Sequence, residues 1–384
     1  GRIGGQRAKD LLWSKIDYPD KVVTSSVLIA LGECGFKAGI SQITRIKYAI
    51  ELDIADIGWN FGALQEIGDE GNAAEVKRAI RREIQNDIEH IYMLLAMLYD
   101  TRSIQLVKEN IESGTTEGTT YAVELLDVFL SEQLKQRVIP VLDELTDTER
   151  ISRLEAFYPR VKLDSKLVLK FLINRDFTQT NRWSKATVIY QIGILKINEF
   201  KLDLISHMFN PDKLIREVSG WALYQISAEA YQSNSARLGD VAKKELDASI
   251  LAGQQSRLMK FEKVLFFKSI KLFEGTSGIS LSYLSDFSDE ERIKANSSLS
   301  LDEKLNNHFY VLYSGKLEYY CKGRMVAEYD SGQFVGEMLA PGGFANANVL
   351  VAKEDSLLLK FSKDLFYELL AGSVKLTDRV LESI

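Results

Sequence analysis

Gly332-Gln333-Phe334-Val335-Gly336-Glu337-Met338, continued by Pro341-Gly342-Gly343-Phe344-Ala345-Asn346-Ala347-Asn348-Val349, is the stretch on which the reading of the chain turns. Pro341-Gly342-Gly343 is glycine-rich but lacks the lysine that a triphosphate-binding loop needs. On either side of the stretch, aromatic and β-branched segments alternate with turns. Residues 309–312, 317–320, 326–329 and 357–361 are expected strands, with Gly315 and Gly323 in tight turns. Residues 259–273 are expected to enter this region as a helix, and helices over 363–370 and 374–384 to close it.

The stretch resembles the phosphate-binding cassette of cyclic-nucleotide-binding domains. The resemblance implies that Gly336 and Glu337 form the family's tight turn. It implies that a short helix beginning near Met338 presents backbone amides to the cyclic phosphate, and that Glu337 accepts the ribose 2′-hydroxyl. Nine residues after the glutamate the family carries an arginine that pairs with the phosphate. Asn346 holds that place here without insertion or deletion, followed by Ala347 and Asn348, and Leu339 replaces a smaller family residue. The candidate ligand residues are therefore Gly336, Glu337, Met338, Asn346, Ala347 and Asn348.

Asparagine donates a hydrogen bond but brings neither positive charge nor a bidentate fork. A charge-assisted bond contributes roughly 1.5–3 kcal/mol against about 1 for a neutral one. The replacement is expected to weaken cyclic-nucleotide binding by about one to two powers of ten, leaving a degenerate pocket with at most weak affinity.

With 384 residues and 46% apolar content the chain can build two or three cored domains. Its net charge of −6 has both signs interspersed and no basic stripe, which excludes a nucleic-acid partner. The resemblance points the same way, because the chain ends before the place where transcription regulators of that family carry a helix-turn-helix. Cys34 and Cys321 follow no metal or redox spacing, so a reducing, cytoplasmic setting is expected. No apolar run reaches the ~18–20 residues that span a bilayer, and residues 92–99 read as a buried helix. The chain opens on Gly1 rather than Met, which reads as a piece of a longer or processed protein.

Residues 1–255 read as helical repeats and 256–384 as the cyclic-nucleotide-binding-like domain. Ile80, Ile84, Ile88, Ile91, Leu95 and Leu98 make one apolar stripe, with Arg81, Arg82, Glu83, Asp87 and Glu89 expected on other faces. Pro19, Pro140, Pro159 and Pro211 are expected between helices. Gly114–Thr120 reads as a loop whose threonine caps a helix over 122–130. Residues 20–31 and 212–223 can be laid against each other, with 183–192 as a looser third copy. The Asn210-Pro211-Asp212 run with Arg216 and Ala222-Leu223 resembles a HEAT repeat. The fold class expected is thus mainly α: a HEAT-like α-solenoid followed by a small β-roll with flanking helices.

Residues 84–145, with Leu125-Leu126-Asp127 and Val138-Ile139-Pro140, resemble the HEAT-like region that follows the membrane part of bacterial ADP/ATP-translocase-like carriers. Those chains continue into a cyclic-nucleotide-binding-like domain, the order found here. The resemblance implies the cytoplasmic tail of such a carrier, with partner proteins or its own membrane domain as contacts. None of the carrier's substrate residues transfers to this chain.

His90, His207 and His308 are widely separated and lack carboxylate or cysteine partners at ligand spacing. No nucleophile elbow, zinc-protease helix or triphosphate loop is present, and Arg81-Arg82 and Asp289-Glu290-Glu291 read as solvated. The sequence therefore implies no enzyme, metal or cofactor. The two rival readings are a working cyclic-nucleotide or small-ligand sensor and a free-standing solenoid adaptor.

Overall fold

Each of the three similar stretches folds as a helix started by the same device. Asp20 accepts the Val22 and Val23 amides, Asn181 those of Trp183 and Ser184, and Asp212 those of Leu214 and Ile215. Each cap satisfies amides that a helix start leaves without an intrahelical acceptor, worth about 1 kcal/mol.

The computed structural model describes residues 4–251, 257–300, 308–335 and 348–371. The chain divides into two units, Gly1–Leu195 and Lys196–Ile384. The division expected between residues 255 and 256 lies outside the described residues, as does the helix expected over 374–384.

The first unit contains α1 (Gln6–Trp13), α2 (Lys21–Glu33), α3 (Ile40–Glu66), α4 (Ala73–Leu98) and α5 (Thr101–Glu112). It continues with α6 (Thr116–Phe129), α7 (Glu132–Leu142), α8 (Asp147–Glu155), α9 (Ser165–Asn174) and α10 (Arg182–Ile194). The long helices α3 and α4 pack along each other; α2 and α10 also lie on α4, and α7, α8 and α9 lie on α3. Ile80, Ile84, Ile91 and Leu95 are buried as expected.

Three expectations need correction. Glu83 and Asp87 are buried rather than exposed, because α4 is covered on more than one side. Pro140 lies inside α7; the helix ends two residues later, so little of it follows the proline's missing amide. Gly114–Thr120 is largely helix, since Thr115 caps α6 by accepting the Gly118 amide. Among the described residues no helix is long and apolar enough to cross a membrane.

The second unit begins with a 3-10 turn, Asn198–Phe200, and α11 (Lys201–Met208), α12 (Lys213–Ile226), α13 (Ala228–Ser235) and α14 (Asp240–Ile250). Then come α15 (Lys260–Ser269), a 3-10 turn at Lys271–Phe273 and α16 (Gly278–Asp286). Among the described residues eight strands follow: β1 (Asp289–Ile293), β2 (Ser298–Ser300), β3 (His308–Ser314), β4 (Leu317–Cys321), β5 (Arg324–Tyr329), β6 (Phe334–Val335), β7 (Asn348–Ala352) and β8 (Ser356–Ser362). The last described element is α17 (Lys363–Ala371). The molecule is thus mainly helical and carries a C-terminal antiparallel roll.

The strands form two four-stranded antiparallel sheets, β1-β8-β3-β6 and β2-β7-β4-β5. Ile293, Tyr310, Leu312, Val335 and Leu358 of one sheet meet Leu317, Leu350 and Ala352 of the other in one core. β3, β4, β5 and β8 cover the expected strands. Residues 289–291 are a strand rather than a solvated helix start. The charged stretch carries little apolar signal, and pairing with the buried strand β8 decides its state. In β5 an extra residue, Val326, is accommodated opposite Tyr319 and Tyr320 of β4.

Gly315 and Gly323 occupy turns at φ +95° and +77°. A Cβ on Gly315 would lie 2.2 Å from Ser356 Oγ and 2.7 Å from Ser356 Cα. Gly315→Ala therefore combines a left-handed backbone with a backbone clash. It is expected to destabilise the roll by more than about 1 kcal/mol, read from the urea midpoint.

Candidate functional site: the connection between the two sheets of the roll

The short strand β6 begins at a closed turn. Gly332 (φ +87°) donates its amide to Leu312 O at 2.8 Å, and Leu312 returns a bond to Gln333 O at 3.0 Å. The Gln333 side chain accepts the Asp330 amide at 2.7 Å, and Ser331 donates to Tyr313 O at 2.6 Å. Phe334 and Val335 then pair with Val311 and Tyr310 of β3.

Residues 336–347 connect this strand to β7 of the opposite sheet, where Asn348 pairs with Cys321 of β4. Of the candidate ligand residues, Gly336, Glu337, Met338, Asn346 and Ala347 lie outside the described residues. Asn348 is placed at the first position of β7. The described structure therefore defines where the cassette leaves one sheet and enters the other.

Phe334 links the entry to this connection with the flanking helices. Its ring centroid lies 5.8 Å from Phe273, beside α15, and 6.3 Å from both Phe361 of β8 and Phe366 of α17. Phe309 closes the group 4.9 Å from Phe366, and Phe267 of α15 lies 6.3 Å from Phe361. Such pairs add about 0.5–1.5 kcal/mol each beyond their buried area. β6 thus packs against the 3-10 turn that follows α15, against β8 and against the helix after the roll.

An ion network crosses the second sheet. Lys353 lies 2.5 Å from Glu318 and 3.2 Å from Glu328, and Lys316 lies 3.5 Å from Glu328 and 3.6 Å from Asp330. The hydrogen bond from Lys353 holds the Glu328 carboxyl below its ordinary pKa. Glu318 accepts from Tyr320 Oη at 3.1 Å, which pushes that phenol's pKa up.

The roll is joined to its entry helix by buried charge. Lys263 donates to Ser288 O at 3.0 Å and lies 3.3 Å from Glu290, whose side chain is only 7% exposed. Glu290 also accepts the Leu258 amide at 2.9 Å, so it is no solvated residue. Glu217 of α12 accepts the Lys260 amide at the first turn of α15. Burial lowers the Lys263 pKa and raises that of Glu217. A polar cavity of about 270 Å³ lies here, lined by Arg216, Glu217, Lys260 and Asp286, apart from the roll's core.

None of these links was named from sequence. Phe334 and Phe273 carried a signal in the aromatic density of their segments, whereas Lys263 and Glu290 lie 27 positions apart with nothing local to pair them. His90, which has no carboxylate partner at ligand spacing in the sequence, meets Asp53 at 2.6 Å because α3 brings it there. Of the four tryptophans, Trp183 is buried, and Trp13, Trp59 and Trp221 are half-buried.

Comparison with known proteins identifies the roll's class. Residues 290–373 match the family model of the cyclic nucleotide-binding domain, so the chain carries such a domain at its C-terminal end. No curated protein matches the chain.

Among solved structures, the sensor domain of the transcriptional regulator DNR from Pseudomonas aeruginosa is 19% identical. It matches over 32% of this chain and 87% of its own length, with a TM-score of 0.30. A cyclic nucleotide-binding domain from Methylobacillus flagellatus is 22% identical over 32% of this chain and 71% of that one, with a TM-score of 0.27. The regulatory subunit of a cAMP-independent protein kinase A from Trypanosoma brucei is 17% identical over 32% of this chain, TM-score 0.28. The match spans 45% of that subunit's length.

The Lys263–Glu290 pair yields a direct test. Lys263→Met leaves Glu290 buried without its lysine and is expected to destabilise the second unit by about 3–5 kcal/mol. Lys263→Met with Glu290→Leu should recover most of that loss in the same urea titration, because no uncompensated charge remains.

Proposed function

We propose that the chain is a non-catalytic regulatory region in which a cyclic-nucleotide-type roll with a weakened anion grip is carried on a HEAT-like helical scaffold. The observation that carries this reading is Asn346 at the position where the family has its phosphate-pairing arginine. The described arginines of the roll offer no ready substitute. Arg292 stands on β1, at the edge of its sheet opposite β6, and lies 3.3 Å from Glu290. Arg324 is in register with Cys321 and so two strands from Asn348, about 10 Å at ordinary strand spacing.

In this reading the roll is a docking module, and its partner is another protein or a membrane domain of the same polypeptide. The order of helical repeats before roll, as in ADP/ATP-translocase-like carriers, supports a tail on the cytoplasmic face of a membrane. A free-standing solenoid adaptor is the alternative within the same class; the coding sequence upstream of Gly1 separates the two.

A second reading, a working sensor, is favoured by one observation: Phe334 connects the cassette strand to α17 by ring contact. A ligand seated between Glu337 and the cassette amides would move that ring and the helix with it.

Calorimetric titration with cAMP and cGMP separates the readings. The regulatory reading expects affinities weaker than micromolar, and micromolar or tighter binding overturns it. Asn346→Arg is expected to raise the affinity at least about tenfold by restoring a charge-assisted contact. An unchanged affinity removes the phosphate-contact logic.

A further inference from the structure

The turn between β4 and β5 is as short as an ordinary hairpin allows. Cys321 is in register with Arg324, so Lys322 and Gly323 alone make the turn. Both have positive φ, +49° and +77°, the pattern of the two-residue turn whose twist matches that of paired strands. A Cβ placed on Gly323 would have nothing within 4 Å. Residues 322–326 are all exposed. The tip therefore stands clear of the roll on a short, well-held stem.

Its side chains are an odd mixture for such a position. Successive strand residues point to opposite faces, so one of two apolar neighbours would ordinarily turn into the core. Met325 and Val326 are instead both more than half exposed, and neither face is covered at this end of β5. Lys322 and Arg324 stand beside them. The acids of the two strands lie farther back: Glu318 opposes Glu328 three residues before Cys321, about 10 Å at ordinary strand rise. Lys353 bonds both of them, and Lys316 lies 3.5 Å from Glu328. Among the described residues no carboxylate pairs with Lys322 or Arg324.

Two cations beside two apolar side chains on a projecting tip fit a surface that is negative outside and apolar beneath. We propose that the 322–326 tip docks on a lipid bilayer bearing anionic headgroups. Lys322 and Arg324 meet the headgroups, and Met325 and Val326 enter the boundary with the acyl chains. Charge complementarity selects this occupant, and a convex tip without an aromatic anchor suits a lipid surface better than a protein hot spot. The whole chain carries a net charge of −6 and is repelled by such a surface, so the adhesion is local to the tip. Docking is independent of whether the cassette binds a nucleotide.

Co-sedimentation of the full chain with sucrose-loaded vesicles tests this. Vesicles of phosphatidylcholine alone are compared with vesicles in which about one lipid in three is phosphatidylglycerol. The chain is expected to partition onto the mixed vesicles, much less onto the neutral ones, and to come off as salt is raised to about 0.5 M. Each cation near an anionic surface contributes about fivefold, so Lys322→Gln with Arg324→Gln should lower the partition about 20–30-fold. Met325→Ser with Val326→Ser, at unchanged charge, should lower it about tenfold or more. Failure of the wild-type chain to sediment with the mixed vesicles overturns the proposal, as does a partition that either double variant leaves unchanged. Binding to polyglutamate without binding to vesicles also overturns it, in favour of an acidic protein partner.

Discussion

Phenylalanine packing is the constraint on which the C-terminal unit depends. β6 has only two residues and two pairings with β3, too few to hold a strand by backbone bonds alone. The rings of Phe273, Phe361 and Phe366 fix it from three directions, and they belong to the entry turn, a central strand and the closing helix. With Phe361 and Phe366 essentially without exposure, a change in any one of these elements is felt by the others through close-packed rings. The position of β6 is therefore a property of the whole roll rather than of its own turn.

Much of this was legible in the sequence, for identifiable reasons. The four strands with dense aromatic or aliphatic residues, β3, β4, β5 and β8, announce themselves by composition. β1 does not: Asp289-Glu290-Glu291-Arg292-Ile293 reads as charged surface until β8 is placed beside it. A capping threonine in 114–120 is legible because a cap is a local device, and Thr115 fills that role. The Asp53–His90 pair is not, because the two lie 37 residues apart and a count of apolar spacing treats both as solvent-facing. The candidate ligand residues came from a family resemblance that the match over residues 290–373 supports at the level of the domain.

The two units bury charge in different ways. In the second, Glu290 stands between Lys263 and Arg292, each 3.3 Å away, and Ser288 O takes a further proton of the lysine. In the first, Lys21 of α2 reaches Asp87 of α4 and Asp56 of α3, and Arg175 also meets Asp56, so shared ion pairs join several helices.

β5 ends the second sheet, and its Met325 and Val326 are 52% and 61% exposed. A straight strand of that composition would invite a neighbouring chain to extend the sheet. The extra residue opposite Tyr319 and Tyr320 interrupts the regular spacing of its outward amides and carbonyls, and Arg324 and Glu328 put charge at either end. Irregularity at a sheet margin is a known safeguard against intermolecular strand addition. The roll can therefore present an apolar border to a partner's side chains while denying it the hydrogen-bond ladder on which fibrils grow.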